Sequence, residues 1–484
     1  MILDKLNPSL LWQYFEEICK IPRASKHEEK IISFLIDFAN LHNLEYKKDA
    51  AGNLVIFKPA TSLKKNSSAI VLQSHVDMVC EKNGGVAHNF NTDPIQVHID
   101  NEWVRANGTT LGADDGIGVA AMMAVLSDRT IKHGPLECLF TVDEESGLTG
   151  AFELQKGFFA GKTLLNLDSE DEGELFIGCA GGIDTTAVFP LTQKNVFETY
   201  KGYLLSVTGL TGGHSGDDIH RNRGNALKIM TSFLLQIMEM SDCELHRFQG
   251  GNLKNAIPRE AFASVLFPPV FEEVFLELYQ SFKEKTAVDL AEYEPSFSFI
   301  ADPIPSPETK ISRDLVMKLL HALQNCPNGV ISWSNDIKDL VETSTNLASI
   351  KFVENEIVIT TSQRSSSEIA KKEIASEVAE VFQSHGAGIK HSAGYPGWSP
   401  NMESRILQVT ADAYRRLFYE EPKIKAIHAG LECGLFLEKY PGLDMISFGP
   451  TIKGAHSPDE RLHIASVAKF WVLLLEILKQ FDDE

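Results

Sequence analysis

The stretch AIVLQSHVD, residues 69–77, decides the fold class. Its aliphatic residues are followed by polar ones, which is typical of a buried β-strand that ends at the edge of a sheet. Because strand side chains alternate between the two faces, His75 and Asp77 lie on the same face. One of them could bind a ligand while the other supports it. Equally, His75 could be a hydrogen-bonded surface histidine and Asp77 a turn residue.

Strand and helix patterns alternate on both sides of this stretch. Helices are predicted at residues 8–20, 27–42 and 115–126, and strands at 53–57, 136–142 and 163–167. This alternation indicates an α/β fold, in which ligands bind beyond the carboxyl ends of the strands. Polar residues that follow the strands are therefore the candidate site residues.

The same alternation predicts how the chain is divided. After Gly181-Gly182 the pattern restarts, with a strand at 202–208, a helix at 225–240 and further elements to about residue 382. Helices at 405–419 and 464–481, with a strand at 444–448, resemble the first part resumed. We expect a first domain built from residues 1–185 and 389–484, with an α+β domain, residues 186–388, inserted between them.

A glycine-rich loop, GTTLGADDGIG at residues 108–118, leads into the helix at 115–126. Asp114 or Asp115 could bind a metal ion, or either could cap the helix by accepting hydrogen bonds from its first amides. No Gly-Lys-Ser/Thr follows, so the loop does not match the phosphate-binding loop of nucleotide hydrolases.

Three carboxylates, Asp143, Glu144 and Glu145, follow the strand at 136–142. Like charges so close together repel one another, so the cluster is either well solvated or held by a cation. Asp168 follows the strand at 163–167 in the same way. The acidic residues just beyond it are expected to be solvated surface: Glu170, Asp171, Glu172 and Glu174.

His456 lies in a loop after the strand at 444–448 and completes the set of candidate ligands. Zinc favours imidazole nitrogen and carboxylate oxygen, and two zinc ions can share one carboxylate. Each motif is weak alone, but five such residues near the ends of separate elements predict a metal site: His75, Asp114, Glu145, Asp168 and His456.

The composition limits the partners and the location. The net charge of −21 makes nucleic acid and anionic membranes unlikely partners. The seven cysteines are scattered, without a CxxC pair, which favours reduced thiols. Because neither a signal sequence nor a long apolar run is evident, we expect a cytoplasmic protein that does not enter a membrane.

Eight strings carry a resemblance to a known family: SHVDMV, TTLGADDGIG, VDEESG, LLNLDSE, GGHSGDDIH, NAIPRE, HAGLECG and GPTIKGAHSPDERL. In order and spacing they resemble the aminoacyl-histidine dipeptidases, also called Xaa-His or carnosinase-like dipeptidases. These are relatives of the co-catalytic zinc aminopeptidases, carboxypeptidases and aminoacylases. The match runs from Pro22 to His463. It implies a mixed-sheet catalytic domain with an inserted lid domain.

The resemblance also implies roles for the candidate residues. One zinc ion would be bound by His75, Asp114 and Asp168, and the other by Glu145 and His456, with Asp114 bridging the two. Asp77 would hydrogen-bond the ring of His75. Glu144 would be the general base that takes a proton from a metal-bridging water and passes it to the leaving amine. Asp115, where relatives commonly have Asn, could compete as a ligand.

In the inserted domain, the resemblance implies that His214 stabilises the oxyanion and that Asn255 contacts the substrate. Arg364 is a candidate partner for the substrate carboxylate, although a surface arginine after a strand is an equally good interpretation. A homodimer is expected, because the corresponding histidine of dimeric relatives reaches the neighbouring subunit. The long insert could instead supply it within one chain.

The sequence thus predicts a metal-dependent hydrolase of short unblocked dipeptides, Xaa-His dipeptides included, with two Zn²⁺ ions per chain. Co²⁺ or Mn²⁺ would also fit the ligand set. An N-acyl amino acid amidohydrolase or a tripeptidase on the same scaffold is the main alternative. A metal-binding or peptide-binding protein without activity is disfavoured, because the histidines and Glu144 are all present.

Overall fold

The protein is described by a computed structural model that covers residues 2–61, 68–196, 199–240 and 242–481. The elements up to residue 179 are α1 (Ser9–Ile18), α2 (Glu29–His42), β1 (Glu45–Lys48), β2 (Leu54–Lys58), β3 (Ile70–His75), β4 (Val97–Asp100), β5 (Trp103–Ala106), α3 (Ala113–Ser127), β6 (Leu136–Thr141), α4 (Glu144–Gly147), α5 (Thr149–Glu153), β7 (Thr163–Asn166) and β8 (Glu174–Cys179).

From residue 181 to 391 the elements are β9 (Gly181–Pro190), β10 (Gln193–Asn195), β11 (Lys201–Thr208), β12 (Gly213–His214), α6 (Ala226–Met240), β13 (Glu244–Gly250), β14 (Ala256–Ile257), β15 (Ala261–Phe267), α7 (Glu272–Leu290), β16 (Ser298–Ile304), β17 (Thr309–Ile311), α8 (Arg313–Asn325), β18 (Gly329–Trp333), β19 (Val341–Val353), β20 (Glu356–Ser365), α9 (Glu368–Ser384) and β21 (Gly388–His391). The rest are α10 (Arg405–Phe418), β22 (Lys423–Ile427), α11 (Glu432–Lys439), β23 (Asp444–Ser447), β24 (Ile452–Lys453), β25 (Arg461–His463) and α12 (Ile464–Gln480).

The chain forms two compact units. The first comprises residues 1–178, 400–426 and 431–484, and the second comprises 179–399 and 427–430. Within the described ranges, no helix combines the length and the apolar composition that a bilayer span requires.

The first unit is organised around a mixed sheet with the strand order β1-β2-β6-β3-β7-β23-β8-β22. β3 runs parallel to β6 and β7, and β23 runs parallel to β7, whereas β1, β2 and β6 pair antiparallel. Every residue of β3, β6 and β7 is buried, which explains why these strands are nearly continuous apolar runs. The predicted α/β class with a mixed sheet is confirmed.

The parallel register aligns the ends of the central strands. His75, the last residue of β3, pairs with Thr141, the last residue of β6. α3 packs against β3 and α1, and it is buried on all sides from Gly116 to Leu126. The carboxyl ends of β3, β6 and β7 therefore meet the amino-terminal end of a buried helix at one edge of the sheet.

The second unit has its own sheet, in the order β16-β11-β15-β13-β19-β20-β9-β21, with β18 paired to β19. Its core is rich in aromatic and aliphatic side chains from the sheet and from α6, α8 and α9. Phe233 of α6 makes ring contacts with Phe275, Phe282 and Phe299. This core is distinct from that of the first unit.

Candidate metal centre

Two histidines of the first unit face a shared carboxylate. Nε2 of His75 lies 3.1 Å from Oδ1 of Asp114, and Nε2 of His456 lies 3.1 Å from Oδ2 of the same residue. Asp168 Oδ1 is 3.3 Å from His75 Nε2, and Glu145 Oε2 is 3.0 Å from His456 Nε2. The five predicted ligands thus form one cluster, with Asp114 between its two halves.

Each of these side chains comes from a different element of the first unit. His75 ends β3, and Asp168 follows the end of β7 by two residues. Asp114 lies at the start of α3, where its backbone and that of Asp115 are not helical. Glu145 belongs to the one-turn helix α4, and His456 lies in the loop between β24 and β25.

Asp77 connects His75 to the turn that carries Glu144 and Glu145. Its side chain is fully buried, and Oδ1 lies 3.4 Å from His75 Nδ1. Oδ1 also accepts a hydrogen bond from the backbone N–H of Glu144 (3.0 Å), and Oδ2 accepts one from Glu145 (3.2 Å). Ser25 Oγ donates to Oδ2 at 2.8 Å. One carboxylate therefore holds the acidic turn and lies beside the His75 ring, whose Nδ1 has no hydrogen-bond partner among the described residues.

Glu144 and Glu145 lie on a helical turn and do not continue the strand. β6 ends at Thr141, and Asp143 has a positive φ of 51°, after which residues 144–147 form a helical turn. The two side chains separate because successive helical residues are rotated by about 100°. Glu145 points to His456, whereas Glu144 is partly buried beside it.

Asp115 is occupied by hydrogen bonds at the start of α3. Its carboxylate accepts from Ser74 Oγ and from the backbone N–H of Gly118, the latter at 3.1 Å. Ser74 lies on the face of β3 opposite His75. The carboxyl of Asp115 thus caps the helix, as one of the two sequence interpretations held.

Arg23 holds the glycine-rich loop, residues 108–118, through a hydrogen bond to its backbone. This fully buried side chain donates to the carbonyl oxygens of Val76 (3.0 Å), Asp77 (2.7 Å) and Gly112. Gly112 has a φ of +70°, and a Cβ there would lie 2.5 Å from the Arg23 guanidinium, so the position requires glycine. Sequence reasoning missed Arg23, because its contacts are to backbone atoms of distant residues.

A buried hydrogen-bond chain runs beneath the cluster. Asn166 Nδ2 donates to Gln73 Oε1 (2.6 Å), and Gln73 Nε2 donates to Glu432 Oε2 (2.6 Å). Thr141 Oγ1 donates to the same oxygen at 2.8 Å. Gln73 and Asn166 each precede a residue of the cluster by two positions. The chain therefore links strand ends that carry His75 and Asp168.

The acidic turn after Asp168 is less exposed than expected. Glu174 is buried and pairs with Lys425, at 2.6 Å. Glu170 is also shielded, and burial with the nearby charge of Asp114 raises its pKa to about 8. The expectation of solvated surface is wrong for both residues, because the turn packs beside the cluster.

The cluster has the chemistry of a metal site. Ligand atoms 2.0–2.2 Å from a tetrahedral ion lie about 3.3–3.6 Å apart, close to the separations between each imidazole nitrogen and its carboxylate oxygens. One ligand atom each from His75, Asp114 and Glu145 lie within 4.8 Å of one another. Oε1 of Glu145 is buried without a hydrogen-bond partner among the described residues. These nitrogen and oxygen donors fit divalent cations such as zinc.

Comparison with known proteins assigns this chain to a family. The model of Peptidase family M20/M25/M40 matches residues 71–480. The chain belongs to this family. It is 43% identical over 481 residues to the cytosol non-specific dipeptidase of Escherichia coli (strain K12), covering 99% of each chain.

Solved structures share the fold of this chain. The aminoacylhistidine dipeptidase from Vibrio alginolyticus superposes with a TM-score of 0.93 at 42% identity, over 100% of this chain and 99% of that one. Aminopeptidase PepT from Bacillus cereus shares the fold, with a TM-score of 0.58 at 17% identity over 98% of each chain. The chain is a metal-dependent peptidase of the M20/M25/M40 family.

Three residues predicted to contact the substrate lie in the second unit of this peptidase. His214 pairs with Asp217, at 3.1 Å between Nδ1 and Oδ2. Asn255 is exposed, and its backbone oxygen accepts from Ser215 N–H at 2.8 Å. Arg364 lies within β20 and is 7% exposed, so the alternative of a surface arginine after a strand is wrong.

Arg364 has an unusual environment for a buried cation. Nη1 donates to the hydroxyl of Tyr395 at 3.0 Å, and its buried Nε has no hydrogen-bond partner among the described residues. Burial and the charge of Arg364 lower the pKa of nearby His428 to about 3, so this histidine is neutral. The guanidinium thus retains capacity to bind an anion.

The charged groups of the first-unit cluster shift one another's pKa values. Hydrogen bonds that the His456 ring donates to the carboxylates of Asp114 and Glu145 raise its pKa to about 11. Burial would lower the pKa of His75, but the charge of Asp168 and the hydrogen bond to Asp114 raise it well above its usual value. Burial also raises the pKa of Glu144 well above its usual range and that of Asp168 to about 7.

Proposed function

We propose that this peptidase is a dinuclear zinc dipeptidase that hydrolyses short unblocked dipeptides, Xaa-His dipeptides included. The single observation that carries the proposal is that both oxygens of Asp114 face histidine nitrogens. A carboxylate in that position suits two ions that share it. The 43% identity to a non-specific dipeptidase over the full chain supports the choice of dipeptides.

The ligand assignment follows the two halves of the cluster. His75, Asp114 and Asp168 would hold one ion, and Asp114, Glu145 and His456 the other. Two bound cations supply Lewis-acid polarisation of the scissile carbonyl and lower the pKa of the attacking water. Zn²⁺ suits this nitrogen and oxygen set, and Co²⁺ or Mn²⁺ can replace it.

Glu144 would be the general base. It accepts a proton from the attacking water and delivers it to the leaving amine. Its burial raises the pKa of this carboxyl well above its usual range, which strengthens it as a proton acceptor. Asp77 would act through Glu144 and His75, since it bonds to the backbone of one and lies beside the ring of the other.

The second unit would supply the contacts to the rest of the substrate. We assign the terminal carboxylate of the dipeptide to Arg364, the oxyanion to His214 and a further polar contact to Asn255. The inserted residues 186–388 would serve as a lid that excludes water during the reaction.

A cytoplasmic homodimer is proposed for the whole protein. The Escherichia coli relative is named a cytosolic enzyme, which supports the location. Light scattering of the purified chain tests the assembly, and a fully active monomer would contradict the dimer.

The activity is tested by metal analysis combined with a substrate panel. We expect two equivalents of metal per chain and turnover of Gly-Gly and β-Ala-His, with little turnover of their N-acetylated forms. Faster hydrolysis of N-acetyl amino acids or tripeptides would instead favour an amidohydrolase or a tripeptidase. If the chain binds two equivalents of metal but hydrolyses no peptide, it is a metal-binding or peptide-binding protein without catalytic activity.

A further inference from the structure

Glu460 is a buried carboxylate to which neither the predicted ligand set nor the proposed mechanism gives a role. It is 2% exposed and lies next to β25. Oε2 accepts hydrogen bonds from the backbone N–H groups of Leu111 (2.7 Å) and Gly112 (2.9 Å). Oε1 accepts from those of Ala113 (2.7 Å) and Asp114 (3.3 Å). One side chain thus binds four consecutive amides of the loop that presents Asp114.

His456 and Glu460 belong to the same hairpin loop. Lys453 of β24 pairs with Arg461 of β25, which closes the loop at its base. Inside it, Ser457 Oγ donates to the Gly454 carbonyl at 2.7 Å, and the N–H of Glu460 donates to the Ser457 carbonyl at 3.0 Å. The distance from the His456 backbone to Glu460 is therefore fixed by short-range hydrogen bonds.

These contacts close a ring. Glu460 holds the backbone of residues 111–114, Asp114 at the end of that segment meets His456, and the hairpin loop returns from His456 to Glu460. The contact between Asp114 Oδ2 and His456 Nε2, at 3.1 Å, completes the ring. Without Glu460, four buried amides would lose their acceptors and the Asp114 loop would lose its attachment to the hairpin.

We propose that Glu460 is a positioning residue of the metal centre, which holds Asp114 against the hairpin loop so that one carboxylate serves both His75 and His456. This rests on the proposed assignment of those residues as ligands. Glutamine cannot replace it well, because the amide offers one acceptor oxygen and turns an NH₂ donor toward N–H groups.

The experiment compares two buried glutamates of the first unit. Glu460→Gln removes the positioning contacts. Glu137→Gln is the matched control, since Glu137 is 7% exposed and accepts hydrogen bonds of 2.8 Å from the N–H groups of Ala160 and Gly161, near the amino end of β6. Zn²⁺ affinity of the metal-stripped full chain is measured against a chromophoric chelator, together with the Tm.

We expect Glu460→Gln to weaken Zn²⁺ binding about 10–100-fold, as loss of a supporting contact to a ligand does. Its hydrolysis of Gly-Gly should recover partly as the Zn²⁺ concentration is raised. Glu137→Gln should lower the Tm with Zn²⁺ affinity within about twofold of the unaltered chain.

Unchanged Zn²⁺ affinity in Glu460→Gln would overturn the proposal, and so would equal losses of affinity in both variants. If Glu460→Gln does not fold, Glu460→Asp replaces it, because the shorter carboxylate cannot reach all four amides. An unaltered chain that binds two Zn²⁺ ions without cleaving dipeptides would refute the proposed function alone, since the affinity comparison would still decide the role of Glu460.

Discussion

Oδ1 of Asp77 accepts a hydrogen bond of 3.0 Å from the backbone N–H of Glu144. The same oxygen lies 3.4 Å from the ring nitrogen Nδ1 of His75. One buried carboxylate therefore lies between a proposed metal ligand and the turn that carries the proposed base.

Replacing Asp77 with Asn tests this dependence. The amide can accept at only one oxygen, so either the His75 ring or the acidic turn loses its support. We expect Zn²⁺ affinity to fall about 10–100-fold, with a matching loss in kcat. Asp49→Asn is the control, because Asp49 accepts two turn amides at 2.9 Å and does not contact the cluster. Equal metal affinity in all three proteins would contradict the role.

Glu144→Gln should separate metal binding from chemistry. Glutamine preserves the shape of the side chain but cannot take a proton from water, so kcat should fall by at least about 10²-fold. Metal content, measured by elemental analysis, should stay at two equivalents. Turnover close to that of the unaltered chain would remove Glu144 from the mechanism.

His456→Ala should bind fewer than two equivalents of metal, because the half of the cluster formed with Glu145 loses its nitrogen ligand. His463→Ala is the control, since that ring makes a tilted contact with Trp103, with centroids 5.0 Å apart, and lies just beyond the hairpin loop. Elemental analysis after dialysis compares the two. Full occupancy in His456→Ala would count against the assigned ligand.

Metal uptake should release protons. In the metal-free chain the pKa of His456 is raised to about 11, so its ring is protonated at neutral pH, and the pKa of His75 is shifted in the same direction. Zn²⁺ must displace these protons, and its apparent affinity should rise from pH 6 to pH 8. Titration calorimetry in two buffers of different ionisation enthalpy measures the release. Zn²⁺ binding without proton release would show that the ligand histidines are not protonated in the metal-free chain.

The stability of the metal-free chain should fall as the pH rises, whereas its apparent Zn²⁺ affinity should increase. A histidine whose pKa is higher in the folded state stabilises it fully below the unfolded value of 6.5, and this contribution is lost as the pH rises towards the folded value. The Tm of the chelator-treated chain should therefore decrease from pH 7 to pH 9. An increase over that range would show that other groups dominate.

Arg364→Ala should raise KM for dipeptides at least about tenfold while metal content stays unchanged, because a carboxylate loses its charged partner. Dipeptide amides, which lack that carboxylate, should be affected far less. The exposed Arg247 of the same unit provides the control substitution. Equal effects on acids and amides would mean that Arg364 supports the fold of the second unit instead.

Much of the first-unit architecture could be predicted from local patterns. Apolar runs defined β3, β6 and β7 to within a residue or two at each end, since strands buried on both faces contain little else. Strand alternation predicted that His75 and Asp77 share a face; β3 ends at His75, and Asp77 lies beyond it with Oδ1 3.4 Å from the His75 ring. These are properties of sequence neighbours, and sequence periodicity reports them directly.

The supporting residues could not be predicted in this way. Glu460 binds amides 346 to 349 positions earlier in the chain, and Gln73 meets Glu432 at a separation of 359. No periodicity connects residues so far apart, because their contact depends on how the sheet, the hairpin loop and α11 pack together. The helical turn at Glu144 could not be predicted either, because it follows a positive φ at Asp143.

The sequence by itself therefore determined the α/β class, the order of the candidate ligands along the chain and the resemblance to zinc dipeptidases. Only the tertiary structure decided that one carboxylate, Asp114, faces both His75 and His456, and that Asp115 caps a helix instead. The physical reason is that ligand chemistry is a property of residue type, whereas angstrom-scale distances between side chains arise from the packing of separate elements.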